Sequence, residues 1–233
     1  MNYTELKATI KSYAENDFPA TTGIGDLTSD EQIATFVNQA EIRIYNTVQF
    51  PSLRKNVTGF TTLGNKYLSC PLDFLAVYSM AVISGDEYTY LLNKDVNFIR
   101  EAYPSTAAAD RGLPRYYSLF GPATTNTNPA VITDELTFLL GPTPDAMYSV
   151  ELHYYYYPES IVTAGTSWLG DNFDTVLLYG SLMEAYTFMK GETDILANYT
   201  MRYQEALAQA KRLGDGMERG DAYRDGQVKY PVT

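Results

Sequence analysis

Apolar residues recur at helical spacing near the N-terminus of the chain. In residues 3–16 one face carries Leu6, Ile10, Tyr13 and Ala14, and Phe18-Pro19 predicts the end of this helix. A second helix is predicted to begin at a capping box of Ser29 and Gln32 and to stop near Phe50-Pro51. Its apolar stripe consists of Ile33, Phe36, Val37, Ala40, Ile44 and Val48.

Helical spacing returns in the last third of the chain. Residues 173–189 are apolar on most faces, which is typical of a helix buried on several sides, and Asp171 or Asn172 can cap it. Lys190-Gly191 then favours a C-cap, and Thr193 or Asp194 can start a last helix that Gly214 closes. The stripe of this last helix consists of Ile195, Tyr199, Tyr203, Leu207, Ala210 and Leu213.

Between these helices the pattern changes to short apolar or alternating runs separated by Gly and Pro turns. The predicted strands are 57–62, 67–70, 75–83, 88–92, 115–120, 135–140 and 149–157, with one short helix at 94–103. Such strands favour a small antiparallel sheet or sandwich. We therefore predict an α+β fold, in which the N- and C-terminal helices (1–54 and 169–213) form a helical bundle. An antiparallel β-subdomain (55–168) is inserted between them, and a flexible, extended C-terminal tail (214–233) follows.

Tyrosine and acidic residues are the unusual parts of the composition. The 233 residues include 21 Tyr against 10 Phe and 1 Trp. Tyr suits surfaces that are exposed before assembly and buried afterwards, but it also populates ordinary strands, so both interpretations stay open. The net charge of −11 repels phosphate and argues against sequence-specific nucleic-acid binding. DNA could still pass through a pore lined by such subunits.

The cysteine content and the hydropathy of the chain restrict its expected location. Cys70 is the only cysteine, so an intrachain disulfide cannot form, which fits assembly in a reducing cytosol. The first ten residues lack the pattern of a secretion signal. No run approaches the roughly 18 apolar residues that span a bilayer. We therefore expect a protein that is neither secreted by this route nor embedded in a membrane.

Residues that could carry catalysis or bind a metal are sparse. His153 is the only histidine and lies inside a predicted strand, where a surface or cross-strand role is commoner than membership of a Ser-His-Asp or Cys-His site. One Cys and one His cannot form a structural zinc site, and the acidic residues of 215–225 have the wrong spacing for an EF-hand loop. Gly23-Ile24-Gly25 lacks the third glycine of a dinucleotide-binding fingerprint. The sequence predicts no enzyme, no cofactor and no metal.

A carbohydrate-binding or glycoside-cleaving module is the alternative from a different functional class. Asp86-Glu87 and Asp134-Glu135 offer paired carboxylates, and the run 154–157 consists of four tyrosines that could form a platform for a sugar. In a strand, however, these rings alternate between the two faces. Packing in a core or an interface is therefore the favoured role of the run.

The order of motifs along the chain points to a known family. Between Ser29 and Leu213 the ordered set is Cys70-Pro71-Leu72-Asp73-Phe74-Leu75, the hairpin 85–91, Gly112-Leu113-Pro114-Arg115-Tyr116-Tyr117, Leu140-Gly141-Pro142-Thr143-Pro144, the strand ending at Pro158, and Trp168 ahead of 174–185. This set resembles the head-to-tail adaptor proteins of tailed bacteriophages. That group includes the upper tail-tube or head-completion proteins of short-tailed phages.

The resemblance implies a structural component of the virion neck, assembled in the host cytoplasm. Such proteins join a helical bundle to a β-subdomain and have no known catalytic residues. They form a homo-oligomeric ring, usually a dodecamer, under the portal protein. The ring contacts a tail or nozzle protein and holds DNA only as passing cargo. Another connector or tail-completion layer of the same particle is the alternative.

The resemblance also gives the C-terminal segment a role. In similar proteins this segment reaches up to the portal and orders on binding, and here that role would fall on residues 214–233. The predicted portal-binding residues are Arg219, Tyr223, Arg224, Val228, Tyr230, Pro231 and Val232. A glycine-rich segment with spaced aromatics gains little by folding alone, but it can wrap around a partner. A frayed terminus is the other interpretation of the same composition.

Overall fold

The computed structural model describes residues 1–21, 25–121, 124–125, 131–132 and 136–225, and for 124–125, 131–132 and 214–225 the backbone only. It is an α+β fold with antiparallel sheets, so the predicted fold class is confirmed. The chain divides into two compact units. We call residues 1–53 with 157–233 the helical unit and residues 54–156 the β unit.

The elements follow one another along the chain in the predicted order. The helices are α1 (Tyr3–Ala14), α2 (Ser29–Thr47), α3 (Val96–Ala102), α4 (Ile161–Ala164), α5 (Trp168–Asn172), α6 (Asp174–Met189) and α7 (Thr193–Asp225). The strands are β1 (Arg54–Phe60), β2 (Tyr67–Ser69), β3 (Ala76–Ser84), β4 (Glu87–Tyr90), β5 (Leu92–Asn93), β6 (Tyr116–Phe120), β7 (Thr124–Thr125), β8 (Val131–Ile132), β9 (Thr137–Gly141) and β10 (Ser149–Tyr155).

Helix α6 lies at the centre of the helical unit. It contacts α1, α2, α5 and α7, and this is why its sequence is apolar on nearly every face. Its buried side chains include Val176, Leu177, Leu178, Leu182 and Ala185. The helices therefore share one core, and their arrangement as a bundle stays a prediction.

The start of α2 and the extent of α7 differ from the predictions. The capping box is formed by Thr28 and Glu31: Thr28 Oγ1 accepts from the Glu31 amide at 3.3 Å, and Glu31 Oε2 accepts from the Thr28 amide at 2.8 Å. Ser29 is already helical, whereas Thr28 has the extended backbone that an N-cap needs. Gln32 donates instead to the carbonyls of Pro19 and Leu27. Helix α7 continues through Asp225, because a glycine such as Gly214 costs a helix about 1 kcal/mol but does not by itself end it.

The return of the chain to the helical unit comes earlier than residue 169. Tyr157 is its first residue there, and its hydroxyl donates to Asn46 Oδ1 at 2.5 Å. The short helices α4 and α5 were not predicted, because four or five residues are too few for a periodic pattern. Neither Asp171 nor Asn172 caps α6, because both belong to α5, and Phe173 precedes α6 without a side-chain cap.

The β unit contains a sandwich of two four-stranded sheets, and β7 and β8 pair separately as a two-stranded sheet. The first sheet has the order β1-β10-β3-β4, and the second has the order β2-β9-β6-β5. Their facing side chains form one apolar cluster that includes Met80, Phe138 and Leu152. The β5–β6 pairing is parallel, unlike the other pairings of these two sheets. A two-residue strand gives too little sequence for its direction to be predicted.

Strand β10 shows how the alternation of the sequence positions the two faces of the first sheet. Val150, Leu152 and Tyr154 point into the sandwich, whereas Glu151 and His153 point outward. Opposite Leu152, the register places Val57 on β1 and Met80 on β3. A register shift between His153 and Tyr154 leaves Tyr78 as the extra residue of β3.

Glu41 on α2 is a buried carboxylate that joins two helices. It is 2% exposed, and its Oε1 accepts from the Ile161 amide at the start of α4 at 3.1 Å. Burial raises the pKa of Glu41, and hydrogen bonds from Ser160 and Ile161 oppose this change only in part. The folded chain therefore binds a proton at pH values where the unfolded chain has released it.

The pH dependence of Glu41→Gln tests this assignment. Because the folded pKa lies above the unfolded value, ionisation of Glu41 lowers the free energy of unfolding as pH rises from about 4 through the folded pKa. Gln keeps an acceptor for Ile161 but cannot ionise. We expect Glu41→Gln to gain stability relative to the wild type between pH 4 and pH 7, as measured by urea unfolding at each pH. Glu192→Gln, at an exposed position, should follow the wild-type curve, and the same behaviour in Glu41→Gln would contradict the prediction.

Candidate interaction surfaces

His153 belongs to a polar cluster that spans neighbouring strands of the first sheet. Its Nε2 lies 3.5 Å from Glu151 Oε1, with its own side chain 42% exposed. Glu151 Oε1 also accepts from Asn56 Nδ2 on β1 at 3.0 Å. Ser79 is opposite His153 in the register, but within the described residues no hydrogen bond joins them. The geometry is that of a cross-strand surface cluster.

The single cysteine and the acidic side chains show no arrangement for catalysis or metal binding in the part of the chain that the structure describes. Burial raises the pKa of the Cys70 thiol to about 12, so it is protonated at neutral pH and is a poor nucleophile. No three His, Cys, Asp or Glu side chains gather as metal ligands among the described residues. The acidic side chains of 215–225 lie outside that description.

The tyrosine run does not form a continuous platform. Tyr154 is buried in the sandwich at 1% exposure, where its hydroxyl donates to Asp73 Oδ1 at 2.8 Å. Lys55 Nζ donates to the other oxygen of Asp73 at 2.8 Å, and this bond holds the pKa of Asp73 below its ordinary value. Tyr155 points outward against Tyr78, with the two ring centroids 5.9 Å apart. These contacts give the run a packing role.

Exposed rings gather on the outer face of the first sheet. In one cross-strand row, Phe60 on β1 and Tyr88 on β4 flank Ser149 and Ile83. Phe60 is 64% exposed, and Tyr90 in the next row is 68% exposed. We call Phe60, Tyr78, Tyr88 and Tyr90 the aromatic face. Several exposed rings on one face of a sheet are typical of protein-binding surfaces. Sequence reasoning missed this face because the strand order decides which rings share it.

A second tyrosine-rich surface lies on the helical unit. A groove of about 610 Å³ between α1, α6 and the start of α7 is lined by Tyr13, Tyr179, Asp194, Ile195, Asn198, Tyr199 and Arg202. Tyr199 contacts the ring of Tyr186 at 5.0 Å between centroids. Burial, and then the Tyr186 hydroxyl, raise the pKa of Tyr199 to about 12. We call this surface the tyrosine groove. Its rings keep polar tips, which suits a contact that forms after folding.

The predicted portal-binding residues fall in two parts. Arg219, Tyr223 and Arg224 lie on the backbone of α7. Val228, Tyr230, Pro231 and Val232 lie outside the described residues. The role of the set in binding stays a prediction.

Comparison with known proteins decides the family. The sequence model of the SU10 adaptor protein family matches residues 1–228. This chain belongs to the SU10 adaptor protein family. The family is one of phage head-to-tail adaptors, so the resemblance seen in the ordered motifs is confirmed. No curated protein matches the chain.

Membership assigns this adaptor protein a structural role in a phage particle. The family is not a known enzyme family, which agrees with the surface setting of His153. Head-to-tail adaptors act at the neck of the virion and interact with portal and tail proteins in general. Within the described residues, no helix combines the length and the apolar content that crossing a membrane requires.

Proposed function

We propose that copies of this adaptor protein form a ring, most simply a dodecamer, that docks under the portal and seats the tail or nozzle protein. DNA passes through the ring and is not bound in a sequence-specific way. The C-terminal residues 214–233 make the portal contact. The observation that carries the proposal is the length of α7, considered together with the family.

Helix α7 extends well beyond the helix against which it packs. It has 33 residues and is about 50 Å long, whereas α6 has 16 residues and is about 24 Å long. The short connection between them makes them neighbours, and Gln209 of α7 shares a small cavity with Thr175 in the first turn of α6. The part of α7 that follows therefore continues past α6. This part includes Arg219, Tyr223 and Arg224, so it can reach a separate protein.

The two tyrosine-rich surfaces support the assembly role. A closed ring requires a contact between two different surfaces of the same chain, and a neck component must also contact the layers above and below it. The aromatic face and the tyrosine groove are exposed surfaces that suit such contacts. The net charge of −11 supports a channel in which phosphate is repelled and DNA does not stick.

Substitutions in the full-length chain test the portal contact. We expect Tyr230→Ala to weaken binding to the portal by about 30-fold, since an aromatic anchor at an interface is worth about 2 kcal/mol. The double variant Arg219→Ala/Arg224→Ala should weaken portal binding more than Tyr230→Ala does, and it should reduce the salt dependence of that binding. Binding would be measured by surface plasmon resonance on immobilised portal.

Two comparisons make this experiment decisive. Lys211→Ala/Arg212→Ala is the matched control, because both side chains are exposed on the same helix and lie outside the predicted set. It should bind like the wild type. If both the Tyr230 variant and the Arg219/Arg224 variant are folded and bind the portal with wild-type affinity, the C-terminal segment does not make the portal contact.

A further inference from the structure

A small basic pocket lies on the second sheet of the β unit, next to α3. It has a volume of about 260 Å³ and is lined by Lys66, Tyr67, Val96, Arg100, Phe120 and Leu139. Tyr67 is 48% exposed and Phe120 is 53% exposed. The pocket therefore combines two cations with two accessible rings and an apolar base.

The two cations have no anionic partner among the described residues. No carboxylate of that part of the chain comes within 4.0 Å of Lys66 Nζ or of the Arg100 guanidinium. Lys66 Nζ instead lies 5.5 Å from the centroid of the Tyr67 ring. A third cation is close by, since the Arg111 guanidinium packs over Gly64. Among the described residues, this group of cations without a carboxylate partner stands out in a chain whose net charge is −11.

The chemistry of the pocket selects a carboxylate next to an apolar group. Arg and Lys both bind carboxylates through charge-assisted hydrogen bonds. The rings of Tyr67 and Phe120 can cover an apolar group next to such a carboxylate. Two pockets facing each other would repel. The pocket therefore fits a different, acidic surface, as the contact between neighbours in a ring demands.

The helical unit presents such an acidic surface between α1 and α2. Glu15, Asp17 and Asp26 are exposed there and form no ion pair among the described residues. Leu27, next to Asp26, is 41% exposed. Asp17 is held against α2, because its carbonyl accepts from Ser29 Oγ at 2.7 Å. We call Glu15, Asp17 and Asp26 the acidic surface.

We propose that the acidic surface of one copy binds the basic pocket of the next copy, so that Asp17 and Asp26 pair with Lys66 and Arg100. This inference rests on the proposed ring and specifies one of its subunit contacts. The two partners of the contact lie in different units of the chain and carry opposite charge. Each copy therefore carries both a basic pocket and an acidic surface, and the contact can repeat from copy to copy.

A charge-exchange experiment with two full-length variants tests this pairing. Lys66→Glu/Arg100→Glu makes both surfaces of a copy acidic, and Asp17→Lys/Asp26→Lys makes both basic. Either variant alone then faces like charges at every contact. We expect the oligomeric fraction of each to fall at least about tenfold relative to the wild type. An equimolar mixture should assemble again, because every contact then joins opposite charges. Native mass spectrometry, with and without portal, would measure the oligomers.

The matched control is Lys94→Glu/Arg115→Glu, which changes the net charge equally at exposed positions of the same unit outside the pocket. It should assemble like the wild type. If the wild type forms rings and the variants also form them alone, or if their mixture fails to assemble, the inference is overturned while the proposed function stands. A wild type that stays monomeric with its portal overturns both. If Lys66→Glu/Arg100→Glu assembles normally but loses binding to a short DNA duplex, the pocket binds nucleic acid and the inference is wrong.

Discussion

Replacing Phe138 with alanine is expected to lower the free energy of unfolding by about 3–5 kcal/mol. Phe138 on β9 is 0% exposed and lies between the two sheets. Its ring meets Phe74 edge-on at 5.4 Å between centroids and Tyr117 edge-on at 5.8 Å. Truncation would remove both ring pairs and leave a cavity where the sheets face each other.

Urea unfolding followed by circular dichroism measures this loss. Phe60→Ala is the matched control, because Phe60 also lies on a strand of the β unit but is 64% exposed on its outer face. Surface substitutions of this kind change stability by about 0.5 kcal/mol. Equal losses in the two variants would contradict the assignment of Phe138 to the centre of the sandwich.

Replacing Gly180 with leucine is expected to destabilise the helical unit by about 3 kcal/mol. A Cβ atom at Gly180 would lie 3.2 Å from the Ala40 Cβ on α2 and 3.2 Å from the Tyr203 ring on α7. Three helices therefore approach one another at this position. The further carbons of leucine have no space without separating α6 from its neighbours.

The fluorescence of Trp168 during urea unfolding reports on this change, because Trp168 is the only tryptophan and packs against Phe50 and Phe173 within the helical unit. Thr187→Leu introduces the same side chain at an exposed position of the same helix. It should leave the midpoint nearly unchanged. A midpoint for Gly180→Leu close to that of Thr187→Leu would show that the three helices do not meet closely at Gly180.

Long apolar patterns predicted the helices and strands well. They did not predict local backbone details such as the residue that caps a helix. The apolar run 173–189 predicted α6 to within one residue of Asp174–Met189, because a helix buried on many sides leaves little ambiguity. At the start of α2, Thr28 and Ser29 are both good capping residues. The choice between them depends on the turn that precedes the helix, so the sequence alone could not decide it.

The extent of α7 could not be predicted because glycine is ambiguous. Gly214 fits a helix end, and three more glycines in 216–226 strengthened that interpretation. Glycine ends a helix when its backbone turns left-handed, as Gly165 does after α4 with φ of 78°. The backbone of α7 stays helical through Asp225. The predicted boundary between the last helix and the tail, at residue 214, therefore lies inside α7.

The interaction surfaces were predicted least well, because they depend on which strands become neighbours. The alternation of the tyrosine run was predicted, but the face that each ring takes depends on the register with β3. Lys66, Arg100 and Phe120 lie far apart in the sequence and meet only because β2, β9 and β6 are adjacent and α3 lies beside them. The family, by contrast, could be predicted from the order of Gly-Pro turns and aromatic strands along the sequence. The match of the family model over residues 1–228 confirms that prediction.

Cryo-electron microscopy of the virion neck tests most directly whether this adaptor protein works by joining capsid to tail. We expect the β sandwich and the helices around α6 to fit a layer of repeated density directly under the portal, with α7 and the residues after it against portal subunits. A neck in which no layer between portal and tail fits these two units would contradict that role. So would density for a single, unrepeated copy.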